Sequence, residues 1–318
     1  MKQTRICRLL GIDHPLFQGG MLWLATAELA AAVCNTGGLG IVSPYAAMAR
    51  DGDPVENLTA QIARTRALTN KRFGVNIPLD LRDSGLLIDC LIKEKVDLAV
   101  TAAGSPALYT EVLRSSGVTV LHIVSSAKQA LFAEKSGVDG VIAAGCEAAG
   151  RIGFDETPLF SLIPQVSQAV RIPVIAAGGI VDGKGMAAAF ALGAEAVQLG
   201  TRFVATVECI AHPRYKQAII AAEDHDTVVT CRSLIPRRSL KTTFTQRLVE
   251  LDRASATAQE ISSVLGYRTT RIAQIEGDLN QGEAFAGSSV GLIKEILPVS
   301  QVVGSILDGY EKTINEIR

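Results

Sequence analysis

Two pairs of small residues, Gly178-Gly179 and Gly200-Thr201, each follow directly on a short apolar run in the second half of the chain. Both runs are rich in branched residues and end in glycine, which is typical of buried parallel strands. Glycine at a strand end lets a ligand phosphate approach backbone N–H groups that a Cβ would shield, and the dipole of a following helix favours the same negative charge. We therefore expect the two strand ends to form one phosphate site.

These two ends belong to a single strand–helix–strand unit. Residues 182–192 have a helical pattern, with Asp182 as the N-cap and Gly193 just past the end. Such a crossover is right-handed. In a (β/α)8 barrel the loops after the last two strands commonly form a phosphate site. The number of strands that precede this unit in the chain therefore bears on the prediction.

Eight strand-like runs precede residue 210, at 15–19, 39–43, 73–77, 98–102, 118–124, 140–144, 173–177 and 196–199. Other helical patterns between them lie at 26–35, 54–68, 86–95, 106–115, 127–135 and 159–170. This alternation predicts an α/β fold with parallel strands and crossover helices. Eight units favour a closed (β/α)8 TIM barrel, and a doubly wound open sheet is the alternative.

The residues at the expected strand ends are mostly glycine, alanine and neutral hydrogen-bonding types, with few acids. Because function in such a barrel is located at the carboxyl ends of the strands, this composition describes the expected site. It suits a flat, hydrogen-bonding ring system with a phosphate at one end.

The barrel pattern stops after Phe203. We expect a barrel domain over 1–211, a smaller helical insertion over 212–284, and a return segment with a final helix, over 285–318, that packs on the barrel. The insertion leaves directly after the eighth strand, so we expect it to cover the strand ends. The alternative is a C-terminal subdomain remote from the site.

The composition bounds the class of partner and the compartment. A net charge of −1, 48% hydrophobic residues and no long basic run give no support to a nucleic-acid or membrane role, so a small-molecule substrate is expected. The six cysteines show no CxxC spacing and the four histidines no HxxxH pair, which predicts free thiols and no metal. The first residues show no signal-type apolar core, and we expect a cytoplasmic protein.

The chain resembles the nitronate monooxygenase family, formerly called 2-nitropropane dioxygenases. That family includes flavin-dependent type II enoyl-acyl-carrier-protein reductases and NAD(P)H:quinone reductases. The motifs that carry the resemblance are HPLFQGGM at 14–21, GGLGIVS at 37–43, FGVNIPL at 73–79, IAAGGIVDGKG at 175–185, VQLGTRF at 197–203 and EGDLNQGEAFAGSSVGLI at 276–293. They occur in order and span nearly the whole chain.

The resemblance implies FMN in the barrel mouth. Gly20 and Met21 would lie by the flavin ring, with Asn76 hydrogen-bonding near it and Gln198 lining the pocket. For Met21 and Gln198, ordinary packing at a strand end is the alternative. The further positions that the resemblance assigns to the cofactor are Ser125, Ala149 and Gly150 in the middle of the chain, and Gly178, Gly179, Gly200 and Thr201 at the phosphate.

One motif departs from the family pattern. Members usually carry a histidine in the form ExxGHxG after the sixth strand, and here Arg151 stands at that position, in EAAGRIG. A guanidinium stays charged and cannot act as a base, but it can hold an anion through two parallel hydrogen bonds. We therefore expect Arg151 to be an anion clamp for the substrate. The alternative is that Arg151 points to solvent or pairs with Asp155 or Glu156.

Of the histidines, His122 is the best second catalytic candidate, with a role in the core of the fifth strand as the alternative. The resemblance implies an FMN-dependent oxidoreductase that oxidises alkyl nitronates with O2. One alternative is a quinone or enoyl-thioester reductase that uses NADH or NADPH as co-substrate. Another is a flavin-binding protein without catalysis. A homodimer is compatible with each of these functions.

Overall fold

The computed structural model describes residues 3–266 and 268–317, and within these ranges it contains a closed barrel and a small second sheet. The strands are β1 (Leu16–Gln18), β2 (Ile41–Val42), β3 (Gly74–Pro78), β4 (Leu98–Ala102), β5 (Thr119–Val124), β6 (Gly140–Ala144), β7 (Gly150–Arg151), β8 (Val174–Ala177), β9 (Ala196–Leu199), β10 (Thr227–Thr230) and β11 (Arg237–Leu240).

Helices alternate with the strands and continue beyond them. They are α1 (Arg5–Leu10), α2 (Ala27–Asn35), α3 (Pro54–Leu68), α4 (Ser84–Lys93), α5 (Thr110–Ser115), α6 (Ala127–Lys135), α7 (Leu159–Ala169), α8 (Gly183–Ala191), α9 (Thr201–Val204), α10 (Pro213–Ala221), α11 (Thr243–Arg253), α12 (Ala258–Leu265), α13 (Thr269–Gln274) and α14 (Val299–Glu316), with 3₁₀ turns at Pro106–Leu108 and Ser288–Leu292. None of the helices in the described ranges combines the length and apolar character that a membrane span requires.

Eight parallel strands form the barrel, in the order β1-β9-β8-β6-β5-β4-β3-β2. The ring closes between β1 and the start of β2. There the Leu39 amide donates to the Leu16 carbonyl over 2.9 Å and the Gln18 amide donates to the Leu39 carbonyl over 2.9 Å. The predicted (β/α)8 barrel is therefore confirmed, and the open-sheet alternative is wrong.

Alternate strand residues fill the barrel interior and close its lower end. Phe17, Leu121 and Ile175 belong to one buried cluster that also contains Ile6 and Leu10 of α1. Because α1 precedes β1, this helix lies at the amino ends of the strands and covers that end of the barrel interior. The mouth at the carboxyl ends is left as the place for a ligand.

The unit containing α8 forms as its sequence predicts. The Asp182 carboxylate accepts a hydrogen bond from the Gly185 amide over 2.8 Å, which caps the helix. At the other end Gly193 has a φ of +109°, a conformation that L side chains rarely adopt. Both predicted helix boundaries are confirmed, and they fix the loops on either side of α8.

The region after β9 contains strands that the sequence did not predict. β10 and β11 form an antiparallel hairpin, and β11 also pairs with β7 from the loop after β6. Around this sheet α11 and α12 bury a small core that includes Phe244, Leu248 and Ile261. The insertion is thus mixed rather than wholly helical, and its proposed limits at residues 212 and 284 stay a prediction.

The final helix, α14, returns to the barrel and packs mainly on α8, with further contacts to α2 and α9. The α8–α14 crossing is close because glycines meet there. A Cβ placed on Gly183 would lie 2.2 Å from the Tyr310 backbone nitrogen, and one placed on Gly309 would lie 3.4 Å from the Gly183 Cα. This crossing holds the helix that follows the Gly178-Gly179 strand end.

Candidate active site

The ends of β8 and β9 present backbone amides toward the mouth without protein partners. Gly178 and Gly179 have φ values of +101° and +70°, so the chain turns sharply there. Within the described residues, no hydrogen bond is made by the amides of Gly178, Gly179, Gly200 or Thr201. A Cβ placed on Gly200 would meet nothing within 4 Å. The two ends therefore form an open cradle of N–H donors that suits an anion.

The return segment holds this cradle in place from the other side. The Thr201 hydroxyl oxygen accepts a hydrogen bond from the Gly287 amide over 3.0 Å, and the Ser289 hydroxyl donates to the Gly179 carbonyl over 2.7 Å. Each strand end is thus tied to residues about a hundred positions away in the sequence. Because its oxygen accepts, the Thr201 hydroxyl can still donate its hydrogen to a ligand.

Two carboxamide side chains line the barrel interior near the mouth. Asn76 is on the inner face of β3 and Gln198 on the inner face of β9, and the Oε1 of Gln198 is buried with no partner among the described residues. Gly20 lies against Asn76, because a Cβ there would be 2.5 Å from the Asn76 side chain. Met21, next in the chain, is partly buried against the core. Gln198 in turn lies against Gly19, where a Cβ would be 3.3 Å from its Nε2, so the loop after β1 contacts both carboxamides.

The loops after β5 and β6 form the next part of the rim. Gly150 has a φ of +73°, and a Cβ there would meet the Phe285 ring at 3.2 Å, so the backbone passes close under the return segment. The amide and hydroxyl of Ser125 donate to the Gln129 side chain over 2.7 and 3.1 Å. Ala149 lies between this rim and the phosphate cradle, with its amide 3.7 Å from a Cβ placed on Gly287.

Arg151 does not make either of the ion pairs considered from the sequence. Its Nη1 donates to the Asp80 carboxylate over 2.5 Å, whereas the Glu156 carboxylate binds Arg232. The Arg151 side chain is 44% exposed, and its other N–H groups make no hydrogen bond to the described residues. Arg151 therefore extends to the β3 side of the mouth and keeps donors for a ligand.

His122 does not lie at the mouth. Its neighbours along β5, Leu121 and Ile123, belong to the barrel-interior cluster, while Val120 and Val124 pack in the layer between barrel and helices. Strand side chains alternate, so His122 faces the helix layer, where its Nδ1 and the Thr101 hydroxyl are 2.7 Å apart. Burial lowers the pKa of His122 to about 4. The catalytic assignment of His122 is corrected to a core role on this geometry.

Glu147, another acid of the loop after β6, also has a hydrogen-bond partner. Both Glu147 carboxylate oxygens accept from the Leu159 amide over 2.9 Å, which caps the start of α7. Sequence reasoning missed two charged residues at the rim. Asp80 directly follows the FGVNIPL motif, so its place after β3 was a usable signal. Arg238, which donates to the Cys146 carbonyl over 2.9 Å, is placed there by the unpredicted hairpin.

A TIM barrel with a phosphate cradle after its last two strands and amide side chains beneath its mouth defines a class of cofactor-dependent barrel enzymes. Comparison with known proteins gives the family. The family model described as nitronate monooxygenase matches residues 3–85 and 85–309. Among solved structures, FabK from Thermotoga maritima is 43% identical with a TM-score of 0.93, covering 100% of this chain and 99% of its own.

Two relatives of known name are similar to the chain over most of its length. The (3aS,4S,5R,7aS)-5-hydroxy-7a-methyl-1-oxo-octahydro-1H-indene-4-carboxyl-CoA dehydrogenase of Mycobacterium tuberculosis is 37% identical, over 84% of this chain and 74% of its own. The nitronate monooxygenase of Paraburkholderia phytofirmans is 30% identical, over 98% of this chain and 96% of its own. The chain belongs to the nitronate monooxygenase family. It is an enzyme, a flavin-dependent oxidoreductase.

Proposed function

We propose that the chain uses FMN to oxidise alkyl nitronates with O2. The observation that carries the cofactor proposal is the cradle of four unpaired amides after β8 and β9. A single phosphate monoester accepts several N–H bonds at once, and the open space beside Gly200 gives it access to the backbone. Gly178, Gly179, Gly200 and Thr201 would hold the phosphate of FMN there.

The space beside the cradle also suits the ring of the cofactor. The buried Gln198 Oε1 lacks a partner, and the Asn76 carboxamide makes no hydrogen bond to the described residues. An isoalloxazine carries imide N–H and carbonyl groups at one edge, so it would satisfy both amides. Gly20, Met21, Ser125, Ala149 and Gly150 would border the ring. When bound, FMN supplies the redox chemistry, and the protein supplies position and electrostatics.

The charges at the mouth favour a substrate that arrives as an anion. Arg151 is a permanent cation, His122 faces the helix layer and Glu147 caps α7, so none of the three offers a proton at the rim. A nitronate is already deprotonated and needs a cation more than a base. Arg151 would hold its nitro oxygens and stabilise negative charge during the reaction.

The experiment compares Arg151→Gln with Arg232→Gln, which removes an arginine of the turn between β10 and β11 whose partner is Glu156. With the ethyl nitronate of nitroethane as substrate, we expect Arg151→Gln to lower kcat/KM about 10- to 100-fold, the effect of losing a charge-assisted hydrogen bond. Arg232→Gln should stay within about twofold. An unchanged kcat/KM in the Arg151 variant would reject the clamp.

A second candidate, reduction of an enoyl thioester with NADH or NADPH, is favoured by one observation. The identity to FabK is 43% over the whole chain, against 30% to the Paraburkholderia enzyme. Anaerobic absorbance spectra separate the candidates. Bleaching of the flavin by a nitronate alone supports oxidation of nitronates, and bleaching by a nicotinamide supports the reductase. Bound flavin bleached by neither would favour a flavin-binding protein without this catalysis.

A further inference from the structure

The ion pair between Arg151 and Asp80 joins two distant parts of the barrel rim. Arg151 is carried by β7 in the loop after β6, and Asp80 is in the loop after β3. In the ring of strands β3 and β6 are three positions apart, with β4 and β5 between them. A guanidinium that reaches from one loop to the other therefore spans part of the mouth above β4 and β5.

The pair is isolated from the other charges nearby. Arg237 lies opposite Arg151 in the β7–β11 ladder, but its guanidinium binds the buried Glu283 carboxylate over 3.2 Å. Within the described ranges, Asp80 is the only carboxylate within 4.0 Å of Arg151. Both side chains stay partly exposed, at 44% for Arg151 and 35% for Asp80, so the pair can exchange with a dissolved ion.

We propose that Asp80 is a specificity-determining residue that competes with the substrate for Arg151. This inference rests on the proposed role of Arg151 as an anion clamp. An anionic substrate with two coplanar oxygens that uses Nη1 as one of its two donors displaces the Asp80 carboxylate, so one charge pair is exchanged for another. A neutral substrate offers no such exchange and leaves the Arg151–Asp80 pair closed across the rim. Asp80 thus sets a threshold, because only an anion that binds Arg151 more strongly than the Asp80 carboxylate does can open the pair.

The competition has a cost in affinity that can be measured. An exposed ion pair is worth about 0.2–1 kcal/mol, so removing the Asp80 charge should tighten the binding of an anion by about 1.4- to fivefold. The same removal should bring no gain where Arg151 has been replaced, because the competition acts only through its guanidinium. A purely structural role for Asp80 would not produce that dependence.

The test uses propionate, whose carboxylate has the shape and charge of the nitronate group but does not react. Phenylglyoxal modifies free guanidinium groups, and peptide mass spectrometry reports the rate at Arg151 separately from the other arginines. Protection by increasing propionate gives its Kd at Arg151 without reference to catalysis or flavin. The variants are Asp80→Asn and the matched Glu156→Gln, which removes an equal charge from the neighbouring Arg232 pair.

We expect Asp80→Asn to speed modification of Arg151 and to lower the propionate Kd there about 1.4- to fivefold, while Glu156→Gln changes neither. The turnover arm compares Asp80→Asn in the native and Arg151→Gln backgrounds, and the fall in KM should appear only in the first. An unchanged or raised propionate Kd in Asp80→Asn overturns the competition. If propionate protects Arg151 but no variant oxidises nitronates, the competition stands and the proposed reaction fails.

Discussion

Replacing Gly200 by alanine separates the role of the phosphate cradle from the stability of the fold. The added Cβ would meet no protein atom within 4 Å, and the residue has φ −109° and ψ −75°, values without the positive φ that strains alanine. The free energy of unfolding of the flavin-free protein should therefore change by less than about 1 kcal/mol. In the complex the methyl group occupies space beside the amide that a phosphate would approach.

The expected loss is one charge-assisted hydrogen bond to the phosphate, about 1.5–3 kcal/mol, which corresponds to roughly 10- to 100-fold in the Kd of FMN. Quenching of FMN fluorescence on titration with flavin-free protein measures this Kd, and thermal unfolding measures stability. Gly304→Ala is the matched control, since its Cβ also meets nothing within 4 Å but lies on α14. An FMN Kd equal in both variants would refute the phosphate assignment.

Three further changes test other parts of the structure. Gly183→Ala should destabilise the protein by at least about 1–3 kcal/mol in thermal unfolding, because its Cβ would lie 2.2 Å from the Tyr310 nitrogen. Glu283→Gln should cost about 3–5 kcal/mol in denaturant unfolding, since it leaves the buried Arg237 without a charge partner. Burial lowers the pKa of His122 to about 4, so the unfolded chain binds this proton more tightly. The free energy of unfolding should consequently fall by about 3 kcal/mol between pH 6.5 and 4, and His122→Asn should remove that slope. A parallel pH profile in the variant would contradict the buried, neutral imidazole.

The barrel could be predicted because its signals are local. Short apolar runs marked all eight strands, several of them ending in glycine, and a cap such as Asp182 marked a helix start, since both depend on neighbouring residues in the sequence. The hairpin was missed for the same reason. β11 reads Arg-Arg-Ser-Leu, which has no apolar alternation, and it becomes a strand through pairing with β7 and β10.

The site was predicted as far as strand ends and motifs allow. The sequence placed the residues of the cradle and the two amides at the carboxyl ends of strands, and the geometry brings them around one mouth. It could not give the partner of Arg151, because Asp80 is 71 positions away and only the closed ring brings the two loops together. His122 was misplaced because motif reasoning did not ask which face of β5 its side chain occupies.

The place of α14 has a consequence for how the molecule is made. Leu199 ends the eighth barrel strand, and Val299, which begins the helix that packs on α8, is 100 positions later. A ribosome therefore completes every barrel strand well before it supplies this helix. Until α14 emerges, the α8 surface around Gly183 stays open to water. The Gly287 and Ser289 hydrogen bonds to the two strand ends also form only shortly before that point. Nascent chains at this stage should be cleaved by proteases and bound by chaperones more readily than the finished protein. Because the loops of the phosphate site are completed so late, we expect the cofactor to bind near the end of synthesis.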